Sequence, residues 1–166
     1  LEQNKSDSQQ LATLFRMIHE IRKPVIALVN GPALAGGCGL AGACDFVIAA
    51  RETATFGYTE VRIGFIPAVV LVFLVKRVGE GRARELVMRG NVFDAQQALA
   101  IGLVSQVVPA ERLESSALAL ADELRHRFER ERQLRDQDHV RAGGHARVEC
   151  DPPRVAPHHL DHEHAA

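Results

Sequence analysis

Residues 31–41, Gly31-Pro32-Ala33-Leu34-Ala35-Gly36-Gly37-Cys38-Gly39-Leu40-Ala41, carry no charge and no side chain larger than leucine. This stretch constrains the fold more than any other. Val25 to Val29 before it is a short β-rich run, and Asn30-Gly31-Pro32 reads as the turn that closes it. Ala33 to Ala43 then suits a helix whose backbone lies close to a neighbour or a ligand. A strand, a tight turn and a Gly pair opening a helix leave backbone N–H groups unpaired, and the helix N-terminus favours an anion there. The plain alternative is that the glycines only permit close packing. No Lys follows, so the stretch is not a phosphate loop of the G-x-x-x-x-G-K-[ST] type, and it is not read as a dinucleotide fingerprint either.

The rest of the chain alternates strands and helices, which predicts an α/β layered domain. Ser6 and Asp7 can cap a helix with apolar positions Leu11, Leu14, Phe15, Ile18 and Ile21, stopped by Pro24. Phe46 to Ala50 and Thr53 to Phe56 read as strands. Helices are expected at Ala68 to Val78 and Arg82 to Met88, ended by Gly79 and Gly90, and from an Asp94 cap to Ile101. Leu103 to Val108 reads as a strand, and a last amphipathic helix runs from Glu111 to Leu124.

Composition matters because it changes along the chain. Up to residue 124, 12 Lys+Arg face 13 Asp+Glu with one His; the last 42 residues hold eight Arg and seven His. That tail has no sustained apolar period and contains Pro152, Pro153 and Pro157, so residues 125–166 are expected to be disordered. Its Arg, His and Pro content is also what an out-of-frame reading of a GC-rich gene would give, which the encoding DNA would decide. A net charge of −1, no Trp and a single Tyr give no basic, base-stacking surface for nucleic acid. The longest apolar run, Ile63 to Val75, is interrupted by Pro67 and falls short of a membrane span. Three Cys form no disulfide framework and suit a reducing, cytoplasmic setting.

Three segments, KPVIALVNGPALAGGCGLAGACDFVIAA, ATFGYTEVRIGFIPA and RELVMRG followed by DAQQALAIGLVSQVV, resemble the crotonase (enoyl-CoA hydratase/isomerase) superfamily from about Ile21 to Leu124. The resemblance implies its ββα superhelix fold, in part, over residues 1–124, and an acyl-CoA thioester as substrate. It implies no metal and no cofactor beyond the CoA of the substrate, and a homotrimer or hexamer. In that family an amide of the Gly-rich turn forms half of an oxyanion hole, and Gly36 holds that position. Of the two glutamates used by the hydratases, one falls on Glu60; the other falls on Gly39, which cannot move a proton. Ala35, Gly37, Gly39, Tyr58 and Pro67 would border the substrate. For Tyr58, lining the acyl pocket and simple packing both remain open.

A segment that supplies the family's second oxyanion amide precedes these motifs in relatives and is not in this sequence, so weak or absent activity is expected of the chain alone. The implied reaction is hydration or double-bond shift of an enoyl-CoA. The alternatives are a hydratase of the methylglutaconyl-CoA type from branched-chain breakdown, and a non-catalytic remnant or binder. A serine peptidase of similar architecture is disfavoured, since no G-x-S-x-G elbow exists. Cys38 reads as a buried structural thiol and His19 as a partly exposed helical residue. His158, His159, His162 and His164 have a metal-binding composition in a Pro-rich context that argues against a helical site.

Overall fold

The computed structural model describes residues 2–141. The chain divides into two units, Leu1–Phe128 and Glu129–Ala166. The tail histidines from His158 onward and Cys150 lie outside the described residues.

The first unit opens with helix α1 (Glu2–Glu20), so Ser6 and Asp7 lie inside it rather than at its start. Of its apolar stripe only Phe15 is fully buried, while Leu11, Leu14 and Ile21 remain exposed. Two β-β-α units follow: β1 (Ile26–Val29), β2 (Pro32–Leu34), α2 (Gly36–Ala43), then β3 (Phe46–Ala50), β4 (Thr55–Gly57), α3 (Ala68–Val78). Helix α4 (Glu80–Arg89), strand β5 (Val92–Asp94), helix α5 (Ala95–Ala100), strand β6 (Gln106–Val108) and helix α6 (Leu113–Arg141) complete the described chain.

The first strand of each unit joins one sheet, of order β1-β3-β6, and the second joins another, of order β2-β4-β5. The β1–β3, β3–β6 and β2–β4 pairs are all parallel; only β4–β5 is antiparallel. Parallel pairing requires a crossover, and the small helix α2 supplies it between β1 and β3. Central strand β3 has Val47, Ile48, Ala49 and Ala50 fully buried, as a continuous apolar strand covered on both faces should. The α/β expectation thus holds, with β2 and β5 as strands that the sequence did not announce.

Helix α5 begins as its sequence predicts. Asp94 accepts from the Gln97 amide at 2.8 Å and the Gln97 side chain accepts from the Asp94 amide at 3.0 Å, a reciprocal capping box. Asp94→Ala is therefore expected to cost about 1 kcal/mol, read as a lower midpoint in urea unfolding. Helix α6 differs from expectation: it continues to Arg141 instead of ending near Leu124. Ion pairs one turn apart, such as Arg127–Glu123 at 2.7 Å, run along the part that has no apolar period.

Candidate active site

Strands β2 and β4 run parallel with Leu34 opposite Gly57, so both chains leave the sheet at the same end. Ligands in open α/β sheets bind at the carboxyl ends of strands. The Ala35 amide, one residue on, donates to the Gly57 carbonyl at 2.8 Å and locks the two exits together. From that point one chain enters α2 at Gly36, and the other reaches Glu60 through Tyr58 and Thr59. The pairing thus brings residues 24 positions apart to one edge.

Ala35 adopts φ 49°, ψ −123°, and is the non-glycine residue with positive φ among those described. An L side chain there is strained, and such strain clusters at functional turns. Ala35→Gly is expected to stabilise the fold by about 1 kcal/mol, net of the extra freedom glycine gives the unfolded chain. Its thermal midpoint would rise; an unchanged or lower midpoint would contradict the strain.

The first intrahelical bond of α2 is Gly39 N–H to Ala35 O at 3.0 Å. The amides of Gly36, Gly37 and Cys38 precede it and have no acceptor within the helix, and no side chain caps them. Built Cβ positions on Gly36 and Gly37 meet nothing within 4 Å, so this end of α2 faces open space. Such amides can take a developing oxyanion.

Glu60 starts a short 3₁₀ turn, Glu60–Ile63, closed by Gly64 in the left-handed region at φ 77°. Its Oε2 is buried and has no hydrogen-bond partner among the described residues. A carboxylate oxygen in that state accepts a proton without first breaking a bond to the protein. The Tyr58 hydroxyl is also buried without such a partner, although it neighbours the Cys38 thiol. Tyr58 itself is wholly buried in the core. Burial pushes the Cys38 thiol up to about 11, outweighing the neighbouring Tyr58 hydroxyl and Gly57 backbone. Cys38 is then a thiol at neutral pH, in keeping with its structural role. Burial likewise raises the Tyr58 hydroxyl, so it stays protonated.

The other positions named from sequence divide by location. Gly37 borders an apolar groove of about 660 Å³ beside β1, with Leu14, Ile18, Leu28 and Leu40. Pro67 is buried at the start of α3. Gly39 is buried and faces the side chain of Val70 on α3, and a Cβ on Gly42 would lie 3.5 Å from the Tyr58 hydroxyl. Gly37, Gly39 and Gly42 do have the G-x-G-x-x-G spacing, contrary to the sequence reading that set it aside. All three lie inside α2 rather than in a phosphate-binding turn; Gly39 lets α3 approach and Gly42 lies against Tyr58, while Gly37 faces open space. His19 is exposed and meets the edge of Phe73, with ring centroids 5.7 Å apart.

Two residues escaped the sequence reading. Val70 closes the space beside Gly39. Arg77 on α3 donates to the carbonyls of Gly42, Cys44 and Leu103 and so holds the far end of α2. Neither belongs to a motif; only a Val and an Arg on a core helix were visible.

Among the described residues no helix is long and apolar enough to cross a membrane. A family model described as Enoyl-CoA hydratase/isomerase matches residues 1–142. A Thermus thermophilus protein whose name proposes an enoyl-CoA hydratase is 46% identical over 123 residues, 74% of this chain and 48% of that protein. The crotonyl-CoA hydratase of Syntrophomonas wolfei is 48% identical over 101 residues, 60% of this chain and 38% of its own. The crystal structure of enoyl-CoA hydratase from Bacillus anthracis superposes with TM-score 0.71 at 40% identity, covering 74% of this chain and 48% of that one. The chain therefore spans about half the length, or less, of these relatives.

Proposed function

We propose, because the chain belongs to the enoyl-CoA hydratase/isomerase family, that its Gly36–Glu60 edge acts on an acyl-CoA thioester through an enolate. The observation that carries this reading is the shared exit of β2 and β4, which puts free α2 amides and an unpaired carboxylate oxygen at one end of one sheet. Removing a proton next to a thioester moves negative charge onto the thioester oxygen. The Gly36 amide would receive that charge, and Glu60 would take the proton and return it. With one carboxylate the outcome is a double-bond shift, or hydration with water held by other groups. The chemistry asks for no metal or redox group, and CoA enters as part of the substrate.

Exposed Ile63, Phe65 and Ile66, which follow Glu60, support self-association in the manner of a trimer. Among the described residues the α2 N-terminus is what offers oxyanion amides, so turnover by residues 1–166 is expected to be slow. Loss of one such donor costs roughly 3 kcal/mol elsewhere.

The purified chain should be assayed with crotonyl-CoA, whose conjugated-thioester absorbance falls on hydration, and with a 3-enoyl-CoA, whose absorbance rises on double-bond shift. Turnover of either supports the reading. Acyl-CoA binding without turnover would make the chain a non-catalytic binder. The absence of both binding and turnover would overturn it. Turnover of methylglutaconyl-CoA in preference to both would point to the branched-chain alternative.

A further inference from the structure

We propose that Gly90, at the junction of α4 and β5, sets where Glu60 sits relative to the α2 amides. The inference rests on the Gly36–Glu60 reading and adds a positioning residue to it. Strand β4 is the middle strand of its sheet, with β2 on one side and β5 on the other. Its exit is held from both flanks. On the β2 side the Ala35 amide donates to the Gly57 carbonyl at 2.8 Å. On the β5 side the Asn91 carbonyl oxygen lies 3.1 Å from where a Cβ on Gly57 would stand. A Cβ on Gly90 would fall 2.6 Å from Cγ1 of Val61, 3.5 Å from the Tyr58 carbonyl oxygen and 3.7 Å from Cγ of Arg62. Tyr58, Val61 and Arg62 bracket Glu60, so the turn that carries the carboxylate is seated on the Gly90 backbone.

Gly90 ends α4 in the left-handed region at φ 58°, ψ 24°, with its amide donating to the Leu86 carbonyl at 3.0 Å. That helix ending asks for glycine or asparagine. The seat against Val61 asks for more, namely no side chain at all. Carbon atoms in contact lie about 3.5–4.0 Å apart, so a methyl at position 90 requires about 1 Å of movement. Val61 is β-branched and has little freedom to turn its methyls away. Helix α4 is fixed by Ala83, which is wholly buried in the core, whereas the Glu60–Ile63 turn has no fully buried residue. The turn is therefore the part that yields, and Glu60 moves with it. Misplacing a reacting group by about 1 Å costs up to about 10²-fold in rate. Binding at the α2 amides does not pass through Glu60, so the loss falls on kcat.

The test compares the wild-type 166-residue chain with Gly90→Ala, Gly90→Asn, Val61→Ala and the Gly90→Ala/Val61→Ala pair. Gly90→Ala is expected to lower kcat for enoyl-CoA by about 10- to 100-fold, with KM within about threefold of wild type. Its unfolding midpoint should fall by about 5 °C, because an L side chain at positive φ is strained. Gly90→Asn carries the same Cβ at less backbone cost, and should lose kcat as Gly90→Ala does while keeping more of the midpoint. Val61→Ala frees the space without relieving the backbone. The pair should therefore regain most of the lost kcat while its midpoint stays lowered, a split that a purely structural role would not produce. Crystal structures of wild type, Gly90→Ala and the pair should show the Glu60 carboxyl carbon displaced by about 1 Å from its place beside the Gly36 amide, then returned. A Gly90→Ala chain with kcat within about threefold of wild type, a pair as slow as Gly90→Ala, or an unmoved Glu60 would each overturn the proposal. A wild type inert toward both crotonyl-CoA and a 3-enoyl-CoA would instead sink the reaction assigned to Glu60. The displacement, which needs no turnover, would still decide whether Gly90 places that residue.

Discussion

Glu60→Gln is expected to lower enoyl-CoA turnover by about 10²- to 10⁴-fold, the span that general acid–base catalysis supplies. Glutamine keeps the shape and the start of the 3₁₀ turn but cannot take up and return a proton. The turn is held through the Glu60 backbone, whose carbonyl accepts from Phe65 N–H at 3.0 Å, so the side-chain change leaves that bond in place. The Oε2 atom has no partner to lose among the described residues. The unfolding midpoint should therefore move by no more than about 2 °C, and KM for the acyl-CoA should change little while kcat falls. This split separates proton transfer from packing. A Glu60→Gln chain that retains turnover within about threefold of wild type would remove Glu60 from the chemistry.

How far such a site can be read from sequence depends on whether its parts are local. Helix α3 was readable to its ends because Pro67 and Gly79 frame an apolar run, and α5 because Asp94 and Gln97 make a capping box within four residues. The buried strand β3 announced itself through five consecutive apolar residues. The strands β2 and β5 did not. Each has three residues, too few for any period, and each exists through its pairing with β4. That pairing is what aligns Gly36 with Glu60, so the residues were recognisable from motifs while the reason for their meeting was not. Helix α6 was read short for a different cause. Beyond Leu124 its apolar residues are only Phe128, Leu134 and Val140, too few and too widely spaced for a helical period, and pairs such as Arg125–Asp122 and Arg127–Glu123 run along it instead. Gly39 was legible as a missing carboxylate, but not as a tight contact, because Val70 lies 31 positions away on another helix.

Arg77→Ala is expected to be the most destabilising of the substitutions proposed, at about 3 kcal/mol. The half-buried guanidinium gathers carbonyls from two places in the fold. Its Nε donates to Leu103 O at 2.9 Å, and its Nη1 to Cys44 O at 2.5 Å and Gly42 O at 3.3 Å. A weaker contact reaches the Ser105 hydroxyl at 3.5 Å, and that same hydroxyl accepts from the Val47 amide of β3 at 3.2 Å. The Gly42 and Cys44 carbonyls lie at the C-terminal end of α2, where helix carbonyls lack intrahelical donors and a cation is favoured. Alanine would leave several of these acceptors unpaired, each at a cost of about 1–3 kcal/mol where water cannot reach, reduced here because part of the group is solvated. Arg77→Lys keeps the charge but cannot fork, so about half of the loss should remain. Urea unfolding of the three chains measures both values. A loss below about 1 kcal/mol in Arg77→Ala would show that water replaces the guanidinium at these carbonyls. The loss should also reach the site, because the helix whose far end Arg77 holds is the one whose near end presents the Gly36 amide. An Arg77→Lys chain that remains folded should therefore bind acyl-CoA more weakly than wild type.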